Sequence, residues 1–131
     1  MNTENKPLMI MIAGPYRSGT GDDPQLIKAN LQAMTQAALQ VFRAGHIPVV
    51  GEWFALPLVE TAGSKQLGDA IFNEIFHPIA HLLVPRCDAC LRIGGASQGG
   101  DEMVRLAQSL GQPVFYRLED IPRLQKAQVV A

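Results

Sequence analysis

Three groups of residues have the types and spacing that chemistry needs. Asp101 and Glu102 stand together directly after a stretch with four glycines, Gly94-Gly95-Ala96-Ser97-Gln98-Gly99-Gly100. Glu52 lies beside Trp53 just after an apolar run; an indole neighbour can desolvate a carboxylate and raise its pKa toward general-acid use. Tyr16 and Arg17 open a loop over residues 14–21 that also holds Ser18, Thr20 and three glycines. Such a loop ahead of a helix presents free N–H groups to an anion, and an arginine adds a bidentate contact to phosphate or carboxylate. Asp101, Glu102 and Glu52 are therefore the catalytic candidates. Gly14, Tyr16, Arg17, Trp53, Ser97, Gly99 and Gly100 are the substrate-binding candidates, the glycines because they allow close backbone approach. The acidic pair also has a plain role, since carboxylates in a first turn stabilise a helix through its dipole.

Cys87-Asp88-Ala89-Cys90, with His77 and His81 upstream, has the ligand types of a tetrahedral zinc site. No metal is expected there. Pro78 should disturb the i,i+4 pairing of the histidines, no second C-x-x-C exists, and Cys90 falls in a predicted strand, where cysteine behaves as a small hydrophobe. His46 follows Gly45 and reads as a helix-end packing residue.

These side chains need a frame to position them. The apolar run over residues 8–13, closed by Gly14-Pro15, predicts a strand buried on both faces. Asp22 or Asp23 is placed to cap a helix with Pro24 in its first turn. Apolar residues at helical spacing continue that helix to Phe42, and Gly45 stops it. Residues 46–50 predict a second strand, with Pro48 marking a sheet edge or strand start. Residues 51–54 are expected as a loop leaving that strand and leading into a further loop rich in Leu, Pro and Gly. A helix over about 69–83 is expected to break near His77-Pro78. A third strand over 88–93, a helix over 101–110 ended by Gly111, a fourth strand over 114–116 and a short helix over 119–126 complete the order. Strands alternating with helices over short loops indicate a parallel sheet, with ligands bound beyond the carboxyl ends of its strands.

The chain has 131 residues, 47% hydrophobic, with a formal charge of −1. One domain spanning residues 1–131 is expected, burying roughly two-thirds of its unfolded surface. Mixed charges without a basic stripe argue against nucleic-acid binding. The run over 8–13 is too short to span a bilayer, the polar residues 1–6 do not read as a secretory signal, and two cysteines make no disulfide framework. A soluble cytoplasmic protein with no membrane partner is expected.

In these same elements the sequence resembles the nucleoside 2-deoxyribosyltransferase-like superfamily, and within it a bacterial and phage branch. The resemblance is carried by Ile10-Met11-Ile12-Ala13-Gly14-Pro15-Tyr16-Arg17, Arg43-Ala44-Gly45-His46-Ile47-Pro48, Cys87-Asp88-Ala89-Cys90-Leu91-Arg92-Ile93, and Gly99-Gly100-Asp101 through Ala107-Gln108-Ser109-Leu110-Gly111-Gln112-Pro113-Val114. It implies an α/β, flavodoxin-like or Rossmann-like three-layer domain with a parallel sheet of four to five strands. It also implies cleavage or transfer at the N-glycosidic bond of a nucleoside or nucleotide, without an organic cofactor or metal. The family's nucleophilic glutamate falls on Met103, one residue past Glu102, and a second family acid falls on Ala80. The implied roles are then Asp101 or Glu102 as nucleophile or electrostatic stabiliser and Glu52 as proton donor to the base. Arg17 and the loop amides would hold the polar end, and Tyr16 or Trp53 would stack on the base. A binding module that keeps the pocket without the catalyst is the alternative. The apolar segment Trp53-Phe54-Ala55-Leu56-Pro57-Leu58 suggests a homo-oligomer interface.

Overall fold

The structure, a computed structural model, describes residues 6–124. Its first strand, β1 (Met9–Ala13), is the apolar run closed by Gly14, and residues 10 to 13 are wholly buried. Alternate side chains serve opposite layers, as the pleat requires. Ile10 and Ile12 pack with Met34, Ala38 and Val41, while Met11 and Ala13 pack with Ala80, Val84 and Val104.

Helix α1 (Pro24–Arg43) starts where Asp23 accepts a hydrogen bond from the Gln25 N–H and proline occupies the first turn. It ends at Gly45, whose φ of +100° places it in the left-handed region. A Cβ there would also lie 2.7 Å from Leu124 Cβ, so glycine is required on both counts. His46 follows and is buried. Its Nδ1 accepts from the Leu8 N–H at 3.0 Å, so its Nε2–H donates to the Pro122 carbonyl at 2.5 Å. One ring thus ties the start of β1 to the end of the described chain.

Strand β2 (Ile47–Val50) passes directly into helix α2 (Gly51–Thr61). The expected loop at 51–54 is therefore the first turn of a helix. Val50 at its N-cap supplies no side-chain hydrogen bond, so the start carries none of the usual capping residues. Helix α3 (Ala70–Leu83) runs unbroken through Pro78, contrary to the expected interruption. Strand β3 (Ala89–Arg92), helix α4 (Gln98–Ser109) and strand β4 (Val114–Phe115) follow. Helix α4 starts three residues earlier than expected because Ser97 caps it, accepting from the Gly100 N–H. The helix expected over 119–126 is a 3₁₀ turn at Leu118–Asp120; residues 125 onward lie outside the described part.

The four strands among the described residues are all parallel, in the order β2-β1-β3-β4. Met9 pairs with Ile47 on one side of β1, and Ile10 pairs with Ala89 on the other. Pro48 thus sits on an edge strand. The chain reverses its direction across the sheet between β1 and β3, and a crevice opens at such a switch beyond the strand ends. Among the described residues no helix is long and apolar enough to cross a membrane.

Candidate active site

A cavity of about 540 Å³ lies at this switch, on the side of the sheet covered by α2, α3 and α4. Its walls are Gly14 to Asp22 after β1, the first turn of α2 after β2, the first turns of α4 after β3, and one face of α3. Gly14 sits so close to β3 that a Cβ would lie 3.0 Å from the Ile93 carbonyl oxygen. Any larger residue at the point where β1 turns into the cavity would therefore press on the Ile93 backbone.

Of the first loop, Gly14, Tyr16 and Arg17 all reach the cavity. The Tyr16 carbonyl accepts from the Asn30 side chain of α1 at 2.9 Å, which fixes the loop. The Tyr16 ring lies 5.0 Å from Phe76, which stacks on Phe72 at 4.6 Å. Arg17 is not a free anion contact. Its Nε and Nη2 donate to the two Asp22 carboxylate oxygens at 2.9 Å each, and its guanidinium lies over the Phe72 ring at 5.6 Å. The bond from Arg17 lowers the Asp22 pKa. An incoming anion would meet an arginine whose charge is already balanced.

Glu52 is only 5% exposed and lines the cavity. Burial pushes its pKa up to about 7, against the opposing pull of its own backbone N–H. It is thus a carboxyl group that can hold a proton near neutrality and release it in a modest pH range. Burial raises the Tyr16 hydroxyl as well, and the Glu52 charge adds to that shift. Trp53 does not line the cavity and is 41% exposed. The cause is the helix that replaces the expected loop. Successive helical residues point ~100° apart, so Glu52 facing inward turns Trp53 outward.

The same geometry separates the acidic pair. Glu102 lines the cavity, whereas Asp101, one residue before it, does not. Arg92 clamps Asp101 instead, with Nε at 3.2 Å and Nη2 at 3.1 Å from its Oδ1. Arg92 also donates to the Gly95 carbonyl at 2.9 Å and to the Ile93 carbonyl. Asp101 therefore fastens the β3–α4 loop rather than facing the cavity. Ser97, Gly99 and Gly100 line it, together with Met103 and Ala80, the two positions where the resemblance expects acids.

Helix α3 contributes residues that the sequence reading left out of the site. Phe76, His77 and His81 all face the cavity, and His81 Nε2 lies 3.6 Å from Glu102 Oε2. Their signal was present as two i,i+4 pairs, Phe72 with Phe76 and His77 with His81, on one face of a helix. Pro78 hid it by suggesting a break. Cys87 and Cys90 are instead buried in the core, where burial pushes their thiols up to about 11 and about 12. Among the described residues no three His, Cys, Asp or Glu side chains group closely enough to hold a metal ion.

The chain matches no protein-family model and no curated protein sequence. A solved structure of a 2-deoxyribosyltransferase from the psychrotolerant bacterium Bacillus psychrosaccharolyticus superposes on 92% of the chain and 94% of its own length, with a TM-score of 0.61 and 14% identity. The fold is nucleoside 2-deoxyribosyltransferase-like. Glu52 and Glu102 both line the crevice at the strand switch of this fold.

Proposed function

We propose that this protein breaks the N-glycosidic bond of a nucleoside or nucleoside monophosphate, as a hydrolase or a deoxyribosyltransferase. The observation that carries this reading is the pairing, in one cavity, of a half-exposed Glu102 with a buried Glu52 whose pKa is raised to about 7. Glycosidic cleavage with retention uses one ionised and one protonated carboxyl group. Glu102 attacks the anomeric carbon as a carboxylate. The bond from that carbon to the base nitrogen breaks, and Glu52 gives its proton to the departing base. The glycosyl ester on Glu102 is then opened by water, or by a second base in transfer, with Glu52 taking back the proton. Tyr16 and Phe76 supply an aromatic wall for the base, and Ser97, Gly99 and Gly100 line the entry of α4.

The fold likeness to a deoxyribosyltransferase supports the substrate class. A cytoplasmic location belongs to the same reading, and the two free buried thiols suit a reducing compartment. A thermal-shift screen against nucleosides, deoxynucleosides and their monophosphates, followed by chromatography of the hits, tests it. Stabilisation with free base released is the expected result. A shift with the ligand left intact replaces this reading with a binding module, and no shift with any compound removes both.

A further inference from the structure

Because α3 continues through Pro78, His81 sits in its last turn with its Nε2 3.6 Å from Glu102 Oε2, and both side chains line the cavity. Cations are favoured at a helix C-terminus and anions near a helix N-terminus. Here the end of α3 brings an imidazole to a carboxylate in the opening turns of α4. Both groups are about half exposed, 51% and 47%, and an exposed ion pair adds little to stability. Its consequence lies in what happens to the charge on Glu102.

Resting on the reading above, we propose that His81 governs turnover of the glycosyl ester formed on Glu102. In the first step Glu102 gives up its negative charge as it bonds to the anomeric carbon, and a neighbouring N–H donor does not help. In the second step the water oxygen bonds to that carbon, and its proton passes to Glu52. The bond from carbon to Glu102 breaks, and its electron pair returns to the carboxylate. An imidazole N–H beside that oxygen stabilises the returning charge, more strongly once a ligand fills the cavity and excludes water. His81 therefore acts through Glu102 as a positioning residue that favours release of the ester over its accumulation. The other titratable groups lining the cavity are Tyr16, Arg17, Asp22, Glu52 and His77; of these, His77 stands one turn away on the same helix.

The test is His81→Leu beside His81→Gln, in which the Gln amide restores an N–H donor. The readouts are base release with time, melting temperature and intact mass after rapid acid quench, on a deoxynucleoside that the wild type cleaves. His81→Leu should keep the first equivalent of base as a burst, slow the steady state at least ~10-fold, and gain the mass of one deoxyribosyl group. His81→Gln should recover part of the rate and lose most of the adduct. Wild-type turnover in His81→Leu overturns the proposal. So does loss of the burst together with the steady state at an unchanged melting temperature. A wild type that releases no base from any nucleoside refutes the glycosidic reading itself and this inference with it. Base release that needs Glu102 but leaves no adduct in His81→Leu refutes only the role of His81.

Discussion

At the residue scale, Glu52 is the side chain whose chemistry and stability are most directly linked. Its pKa is raised to about 7 from 4.5 by burial. Between those values the folded protein holds a proton that the unfolded chain has lost, so stability falls as pH rises through that window. Above it, the ionised form costs on the order of 3 kcal/mol. Glu52→Gln should therefore melt at a higher temperature than the wild type at pH 8 and at nearly the same temperature at pH 4, while its base release drops ~100-fold or more. Calorimetry at the two pH values reads the first effect and chromatography the second. A lower melting temperature for Glu52→Gln at pH 8 would contradict the burial argument. His46 yields a second residue-scale expectation. Its Nδ1 accepts and its Nε2 donates, so nitrogen NMR should show the Nε2–H tautomer at neutral pH, and an Nδ1–H resonance would contradict that arrangement. The sequence made Glu52 and the Asp101-Glu102 pair visible as carboxylates after strands. It did not reveal which member of the pair faces the cavity, because that choice depends on where α4 begins. Ser97, as its N-cap, sets that phase by accepting from the Gly100 N–H.

At the element scale, α3 carries Phe76 of the cavity's aromatic wall and the two cavity histidines, His77 and His81, so its anchoring matters. Asp69 caps it, accepting from the N–H groups of Phe72, Lys65 and Gln66 and from the Ser64 hydroxyl. These bonds, led by that from Phe72, hold its pKa down to about 2. A depressed carboxylate stabilises the fold above the unfolded value and loses that contribution as pH falls toward its folded value. Asp69→Asn should therefore be less stable than the wild type at pH 6, with the two melting curves converging as pH falls toward 2. A gap that persists unchanged at pH 2 would show that the cap does not act through the ionised carboxylate. Strands and α1 were legible because their signals are local: an apolar run closed by Gly14-Pro15, and an Asp23 cap with Pro24 behind it. Helix α2 was not. It begins without a capping side chain and contains Pro57, so local propensity argued for a loop where packing against α3 supports a helix. Pro78 misled in the same way, since tertiary contacts hold a helix through a residue that would end it in isolation.

At the scale of the whole molecule, the sheet order was readable only as a class. Alternating strands and helices imply parallel pairing, but the order β2-β1-β3-β4 rests on contacts far apart in sequence. That order brings the ends of three strands to one cavity, while the phase of α2 leaves Trp53, Phe54 and Leu58 each more than two-fifths exposed. Self-association through that face, expected from the sequence, predicts a mass above that of one chain by light scattering and a shift toward the single-chain mass in Trp53→Ser. A single-chain mass for the unaltered protein would remove that expectation. The central claim is that the cavity cleaves a glycosidic bond through Glu102. Its most direct test is free-base release from deoxynucleosides and their monophosphates by the wild type, Glu102→Gln and Asp101→Asn, each checked for an intact fold by its melting curve. The account predicts release by the wild type, release by Asp101→Asn, and none above background by Glu102→Gln. Release by Glu102→Gln at the wild-type rate, or its loss in folded Asp101→Asn with Glu102→Gln still active, would contradict it.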